Sequence, residues 1–211
     1  MVKGVAINFK SYKETIPKLL GLIKFDNEIK KHDKIVLKPN LLSGEKEKST
    51  KIEFLEQVLK FIMENKNPGT EIFIAEGCDG YDTLDTFDKL GYTTLSEKYG
   101  IGLIDLNYTE SEEINNSEFL VFDSIKYPKI LLESFIISLP SLREHEELGF
   151  SASLDNMIGA FPAKHYKGIF SKTKNKLNKY PIEYQIHDIL KCKMPNITII
   201  DASDNKGIII S

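Results

Sequence analysis

The chain alternates short apolar runs with segments in which apolar residues recur every three or four positions. Short apolar runs are typical of buried strands, and the longer spacing is typical of amphipathic helices. The runs predict strands over residues 2–8, 34–40, 71–77, 101–106, 118–123, 134–139, 196–201 and 207–211. The helical spacing predicts helices over 14–25, 51–65, 151–159 and 183–191, with two short helical turns within 83–92 and 94–100.

The helix over 51–65 has the clearest local signal. Thr50 and Glu53 have the spacing of a capping box, in which the hydroxyl accepts from the Glu53 amide and the carboxylate bonds back. Pro68 and Gly69 end the element. Its apolar face is formed by Leu55, Val58, Leu59 and Ile62.

Strands that alternate with helices indicate an α/β fold, with a mostly parallel or mixed sheet, helices on both faces and three layers. A chain of 211 residues fits one domain, so residues 1–211 are expected to form a single α/β domain. Ligands of such sheets bind beyond the carboxyl ends of the strands. The loops after 34–40, 71–77, 134–139 and 196–201 are therefore expected to face the site.

Composition limits the class of protein. The chain is 41% hydrophobic and 28% charged, which is typical of a globular protein. A net charge of -3 argues against general attraction to nucleic acid or an anionic membrane. No apolar run approaches the ~20 residues of a membrane helix, and polar residues interrupt the N-terminus too early for a signal peptide. The sequence thus predicts a cytoplasmic protein.

Cys78 and Cys192 are the only cysteines and lie far apart. Two isolated cysteines do not make a disulfide framework, a zinc set or an iron–sulfur ligand set. We expect reduced thiols and no iron–sulfur cluster in this chain.

Two strand ends carry polar side chains. Lys38 and Asn40 end the strand over 34–40 and can either bind an anion or form a turn. An acidic turn follows the strand over 71–77 and is suited to a capped helix start or to binding a metal or hydroxyl group. Its carboxylates are Glu76, Asp79 and Asp82.

Arg143, the only arginine, follows the strand over 134–139. A guanidinium can hold a carboxylate or phosphate through two hydrogen bonds, so Arg143 is a candidate anion ligand. His145 lies two residues further on, and His165 lies on the other side of a run of small residues. Both histidines are candidate acid–base groups, and they could converge if the run folds back as one helix.

The segment 164–179 contains six lysines and no acidic residue. The pattern fits a solvated loop better than a phosphate-binding or RNA-binding lid, because the chain as a whole is acidic. Nucleic-acid binding is therefore not the favoured function. Lys164, at the start of this segment, is a further candidate ligand for an anion.

Five segments together resemble the family named domain of unknown function 362. They are K-P-N-L-L after a strand, the capped helix, the E-G turn, I-S-L-P-x-L-x-x-H, and P-N-I-T-I-I-D-A near the end. The resemblance covers about residues 34–201. It implies a site built by Pro140–His145, by Asp155-Asn156-Met157-Ile158-Gly159, and by His165, with Asn156 among the ligand-binding residues.

The chain departs from the family pattern at three places. Ser141 and Asp155 stand where the family has lysines, whereas Arg143 keeps a positive charge. The family pattern also continues beyond the last I-I-D strand with a glycine-rich segment, so the chain is short at its C-terminus relative to the family. Members joined to ferredoxin-like modules imply an iron–sulfur redox partner.

A more distant likeness is to the nickel-dependent lactate racemase type. His145 and position 155 have the ten-residue spacing of its histidine and tethering lysine, with Gly149 and Ser151 in the small-residue run. Asp155 cannot form the thioamide link that tethers the nickel pincer nucleotide there. One alternative is a divalent metal held by His145, Asp155 and His165.

Two functional hypotheses follow. In the first, the protein binds a small anionic substrate or cofactor with Lys38 and Arg143, and His145 with His165 performs acid–base or metal-assisted chemistry. In the second, it is a non-catalytic accessory or binding subunit of a ferredoxin-like iron–sulfur protein. Turnover by the isolated chain distinguishes an enzyme from an accessory subunit.

Overall fold

The computed structural model describes residues 4–41, 45–145 and 149–211, with the side chains of His145 and Ser151 outside that description. The strands are β1 (Val5–Asn8), β2 (Lys34–Pro39), β3 (Glu71–Glu76), β4 (Gly102–Asp105), β5 (Ser111–Ile114), β6 (Ile125–Pro128), β7 (Phe135–Leu139), β8 (Arg143–His145), β9 (Gly149–Ser151), β10 (Ile197–Ala202) and β11 (Gly207–Ile210). The helices are α1 (Tyr12–Leu22), α2 (Phe25–Ile29), α3 (Ile52–Asn65), α4 (Thr83–Lys89), α5 (Tyr92–Tyr99), α6 (Lys129–Glu133), α7 (Ala163–Tyr166) and α8 (Ile182–Cys192). Short 3-10 segments lie at Lys46–Lys48, Asp155–Ala160, Leu177–Lys179 and Ser203–Asn205.

Seven strands form the main sheet, in the order β1-β11-β10-β7-β2-β3-β4. The pairs from β10 through β7, β2 and β3 to β4 are parallel. The last strand, β11, lies antiparallel between β1 and β10. The sheet is thus mostly parallel, as the alternation of apolar runs and helical segments predicted.

Two separate apolar cores cover the two faces of this sheet, because successive side chains of a strand point to opposite faces. In β2, Ile35 and Leu37 pack into the core formed with α1 to α5. Val36, between them, packs into the core formed with α6, α8 and the 3-10 segment Asp155–Ala160. The fold is therefore the expected three-layer α/β arrangement. Within the described residues, no helix is long and apolar enough to cross a membrane.

Helix α3 is confirmed, but its predicted capping box is wrong. The N-cap is Lys51, with no side-chain cap hydrogen bond. The Thr50 hydroxyl instead donates to the carbonyl of Leu139 at 2.5 Å and accepts from the Asn40 amide at 2.8 Å. The hydroxyl thus joins the ends of β2 and β7, a tertiary role that local spacing cannot reveal.

The predicted strand over 118–123 is also wrong, because this segment is a chain of turns between β5 and β6. Three successive amides, of Leu120, Val121 and Phe122, donate to the carboxylate of Asp188 at 2.7, 2.9 and 3.2 Å. Asp188 lies on α8 and is fully buried. The Asp188 carboxylate therefore accepts the hydrogen bonds that the carbonyls of a neighbouring strand would otherwise accept.

The predicted helix over 151–159 is wrong as well. Residues 149–151 form β9, paired antiparallel with β8, and Asp155–Ala160 is a 3-10 segment. The Asp155 carboxylate accepts from the Ala152 amide at 2.8 Å, a local bond that competes with helix formation. The two histidines are consequently not brought together by one continuous helix.

Candidate functional site

A cavity of about 150 Å³ lies at the carboxyl ends of the parallel strands, where ligands of such sheets bind. Asn40 lines it from the end of β2, Glu76 and Asp79 from the end of β3, and Arg143 from beyond β7. The 3-10 segment contributes Asp155 and Asn156, and the loop after α7 contributes Lys174. The loops after β2, β3 and β7, which the sequence predicted to face a ligand site, thus line this cavity.

The end of β10, before the fourth loop that was predicted to face the site, is bonded to the segment after β7. The Asp201 carbonyl accepts from the Leu142 amide at 2.8 Å, and Asp201 also forms a parallel bridge with Ser141. These bonds fix the segment that leads from β7 to Arg143. The end of β10 therefore positions a cavity residue, whereas the loop after β10 is not among the described residues that line the cavity.

A buried ion pair underlies the cavity. Lys38 is fully buried, and its ammonium donates to Glu76 Oε2 at 2.8 Å, Asn156 Oδ1 at 3.1 Å and the Pro39 carbonyl at 3.3 Å. The other Glu76 oxygen accepts from the Gly77 amide at 2.7 Å. A buried charge is tolerated when it is paired and hydrogen-bonded, and both members meet that condition.

Asn156 holds the 3-10 segment against the sheet. Its amide nitrogen donates to the Lys38 carbonyl at 3.1 Å and to Ser138 Oγ at 2.9 Å, while its oxygen accepts from the Lys38 ammonium. Lys38 and Ser138 are register partners in β2 and β7. One side chain therefore joins two strands and the ion pair.

Two glycines are required by close packing around this ion pair. A Cβ at Gly159 would lie 2.2 Å from Glu76 Oε1 and 2.8 Å from Lys38 Nζ. A Cβ at Gly77 would lie 2.4 Å from the Gly159 carbonyl oxygen. The backbone of the 3-10 segment thus lies directly on the paired charges, which only glycine allows.

Lys174 is a cavity residue that sequence reasoning missed. It lies within the lysine-rich segment, which was expected to be a solvated loop, yet its side chain is only 2% exposed. Its ammonium donates to the carbonyls of Gly77 at 2.7 Å and Gly159 at 3.3 Å, and its amide donates to Asp79 Oδ1 at 2.6 Å. Burial lowers the pKa of Lys174 to about 8. Nothing in the local sequence distinguishes it from the other lysines of the segment.

Arg143 lies at the mouth of the cavity with a half-buried side chain. Its Nη1 donates to the Lys48 carbonyl at 3.2 Å, and its Nη2 lies 3.7 Å from Asp155 Oδ2. Burial lowers the pKa of Arg143, and the charge of Asp155 opposes that effect. A guanidinium has five N–H donors, so it can serve protein acceptors and a ligand together.

The predicted ligand Lys164 and the predicted acid–base residue His165 lie on α7 and are not among the described residues lining the cavity. Lys164 is exposed and donates to the Thr109 carbonyl. Burial lowers the pKa of His165, and the nearby cations of Lys164, Lys126 and Lys176 lower it further. The imidazole is therefore biased toward its neutral form.

The predicted metal set of His145, Asp155 and His165 cannot be assembled from what the structure describes. The His145 side chain lies outside the described residues. Among the residues that are described, no group of three or more histidine, cysteine, aspartate or glutamate side chains is arranged to hold a metal ion.

The fold and the cavity define a three-layer α/β protein with a candidate ligand site at the carboxyl edge of its sheet. The chain belongs to the family described as Domain of unknown function (DUF362), whose model matches residues 35–206. This agrees with the resemblance found in the sequence. No curated protein sequence matches the chain.

Among solved structures, the lactate racemase apoprotein from Thermoanaerobacterium thermosaccharolyticum is similar, with a TM-score of 0.62 and 14% sequence identity. The match covers 97% of this chain and 52% of that chain, so this chain spans about half the length of the racemase. At this identity the likeness shows a shared fold. It agrees with the distant racemase likeness found in the sequence.

The sequence resemblance to the racemase type, and not the shared fold, implies a tethered nickel pincer nucleotide, so the tether position is the first test of fit. The ten-residue spacing from His145 assigns Asp155 to that position, and its carboxylate accepts from the Ala152 amide and faces Arg143. A carboxylate bound in this way offers no amine for a thioamide link. The residues at this position therefore do not fit a cofactor tethered in the racemase manner.

Proposed function

We propose that the protein binds a small anionic molecule in the cavity at the carboxyl edge of its sheet. The observation that carries the proposal is that Arg143 and Lys174 line the same small cavity at the edge where α/β proteins bind ligands. A carboxylate bonded by a guanidinium gains charge-assisted hydrogen bonds, which are about twice as strong as neutral ones.

The size of the cavity limits the ligand. A cavity of about 150 Å³ is the size that accommodates benzene, a molecule of about six non-hydrogen atoms, in an engineered protein. Inorganic phosphate and three-carbon acids are within this limit, whereas nucleotides are far beyond it. The ligand class is therefore a small acid or a simple oxyanion.

The other groups in the cavity refine this class. Three carboxylates, of Glu76, Asp79 and Asp155, also line it, so a ligand with several negative charges would be repelled. A monoanion with a hydroxyl or carbonyl group at its other end fits better, because carboxylates accept from hydroxyls and Asn40 can bond either group. Lactate has this form, and the similar racemase makes it the first acid to test.

Lys38 has a supporting role in this proposal. Its ammonium is held by Glu76 and Asn156 beneath the cavity, so it supports the site by fixing these two lining residues. Asn156 in turn holds the 3-10 segment that carries Asp155. The acid–base roles predicted for His145 and His165, the role predicted for Lys164, and a divalent metal stay predictions.

Ligand-induced thermal stabilisation tests the proposal. L-lactate, acetate and phosphate should each be titrated against the wild-type chain and an Arg143→Gln variant, with Lys18→Gln as a control that removes an exposed cation elsewhere. We expect at least one anion to raise the Tm of the wild type and of the control. Arg143→Gln should lose most of that shift, since it removes the charged donor.

A Tm shift that survives unchanged in Arg143→Gln contradicts the role of Arg143. The absence of any shift with all three anions, up to concentrations of tens of millimolar, contradicts anion binding in the cavity.

An accessory role beside a ferredoxin-like partner is the second candidate. Ile169 and Phe170 are 94% and 101% exposed, and adjacent exposed apolar side chains are typical of surfaces that bind another protein. Co-purification of an iron–sulfur protein with the wild type, and its loss in Phe170→Ser, would support this role. Turnover by the isolated chain would exclude a purely accessory function.

A further inference from the structure

Two lysines are buried among the described residues, and they differ in their partners. Lys38 has a carboxylate oxygen of Glu76 at 2.8 Å. No carboxylate of the described residues lies within 4 Å of Lys174 Nζ, which is bonded instead to two backbone carbonyls. Lys174 is therefore held in place without a directly bonded counter-ion, unlike Lys38.

The two carbonyls match the donors of an uncharged amine. A neutral amine has two hydrogens and one lone pair, and the carbonyls of Gly77 and Gly159 accept at 2.7 and 3.3 Å. The lone pair then remains for an electrophile. Since Lys174 lines the cavity, a bound ligand is the electrophile within reach.

The surroundings of Lys174 make the neutral amine accessible. Burial lowers its pKa to about 8, and the cation of Lys38 acts in the same direction. The charges of Glu76 and Asp79 act in the opposite direction. About half of the molecules would carry the nucleophilic amine at pH 8, whereas an exposed lysine would be almost fully protonated there.

We propose that Lys174 is a catalytic nucleophile that forms an imine with the carbonyl carbon of a small 2-oxo acid whose carboxylate is bound by Arg143. The inference rests on the proposed function, because it places the anionic end of the ligand at Arg143. Pyruvate has six non-hydrogen atoms, which is within the size limit of the cavity.

The chemistry balances without a further reactant. The nitrogen lone pair attacks the carbonyl carbon, a C–N bond forms, and the carbonyl electron pair moves to oxygen. Both amine hydrogens leave with that oxygen as one water molecule, and a C=N bond remains. Asp79, which lines the same cavity, can carry the proton from nitrogen to oxygen. Such an imine withdraws electrons from the neighbouring carbon, as lysine imines do in covalent catalysis.

The test is reductive trapping of the whole chain with pyruvate and cyanoborohydride at pH 8, followed by intact mass measurement and peptide mapping. We expect one reduced pyruvate adduct per chain on Lys174, formed at least tenfold faster than on any exposed lysine. Excess L-lactate, which has the carboxylate but no carbonyl group, should slow trapping at Lys174. Arg143→Gln should slow it as well, whereas Lys18→Gln should leave it unchanged.

Each outcome decides between the two proposals. Adducts spread evenly over exposed lysines, or none on Lys174, overturn the imine even if lactate and pyruvate still raise the Tm. If neither acid raises the Tm, anion binding itself fails. Lys174→Met should lose the specific adduct. If this variant does not fold, the peptide map of the wild type still decides the question.

Discussion

The two buried lysines lie in different kinds of structure, a strand and a loop, and their ammonium groups have different partners. Lys38 belongs to a central strand, and its charge is balanced by Glu76 at 2.8 Å. Lys174 belongs to a loop, and its neighbours are the backbone carbonyls of Gly77 and Gly159. Only Lys174 lines the cavity.

This difference teaches that burial alone does not decide what a lysine does. A fully bonded ion pair is part of the framework, and its partners leave no room for a ligand. A buried lysine bonded only to carbonyls is more easily deprotonated, because desolvation disfavours its charged form and the charges of Glu76 and Asp79 offset that effect only in part. Lys38 therefore stabilises the structure of the site, whereas Lys174 can react with a ligand in the cavity.

Breaking the ion pair should have the largest effect. Lys38→Met leaves the Glu76 carboxylate buried without its cation, which should lower the free energy of unfolding by about 3–5 kcal/mol. Urea unfolding measures this change. The double variant with Glu76→Gln should recover part of the loss, because no uncompensated charge remains.

The matched control is Lys34→Met in the same strand, whose ion pair with Glu133 is partly exposed. It should cost about 1 kcal/mol or less. Equal losses in Lys34→Met and Lys38→Met would contradict the framework role of the buried pair.

The next effect concerns the glycine that lies on the ion pair. Gly159→Ala places a Cβ 2.2 Å from Glu76 Oε1, so the 3-10 segment must shift, at a cost of about 1–3 kcal/mol. The same shift should weaken anion binding, because Asp155 and Asn156 belong to this segment. Unfolding and ligand titration measure the two effects.

Gly69→Ala is the control for that substitution, since no atom lies within 4 Å of its added Cβ. It should change the free energy of unfolding by less than about 1 kcal/mol. A Gly159→Ala protein as stable as Gly69→Ala would show that the close packing on the ion pair is not needed.

The main strands and helix α3 could be predicted because they depend on the local periodicity of apolar residues. The apolar runs at β2, β3, β7 and β10 and the amphipathic α3 were identified from spacing alone, and with them the edge of the sheet where the cavity lies. The strand predicted over 118–123 does not form, because the amides of Leu120, Val121 and Phe122 donate to Asp188. That residue lies 66 to 68 positions away in sequence. Such a long-range competitor leaves no local signal.

The residues of the candidate site likewise include some that were predicted from the sequence and one that was not. Arg143, Asn40 and Asn156 were identified because they follow strands or match a family motif, and the structure brings them to one cavity. Lys174 was missed because its burial comes from the path of a loop, in a segment with five other lysines. Its function depends on tertiary placement, which composition does not encode.

Another buried charge sharpens the comparison, because Asp188 is balanced largely by amides. Burial acts to raise the pKa of Asp188, but hydrogen bonds from His187 and from the amides of Leu120, Val121 and Phe122 outweigh it and lower the pKa. Asp188→Asn should therefore cost about 2 kcal/mol, the range of hydrogen bonds to a charged group.

The sign of the pH effect follows from that lowered pKa. The contribution of Asp188 is present above its ordinary pKa of about 4 and is lost as the pH falls below that value. The difference in stability between wild type and Asp188→Asn should thus shrink in acid. Asp204→Asn, at an exposed position, should show little difference at either pH.

The most gradual effect, a slope of about 1 kcal/mol per pH unit, separates Lys174 from Lys38. The folded pKa of Lys174, about 8, lies below its ordinary value of 10.5, so the unfolded chain binds more protons between these pH values. Wild-type stability measured relative to Lys174→Met should therefore rise with pH from about 8 toward 10.5. Urea unfolding at half-unit steps of pH measures the slope, and subtraction of the variant cancels groups common to both, such as Cys78. A flat difference over this range would mean that Lys174 stays charged when folded, which would remove the distinction between the two lysines.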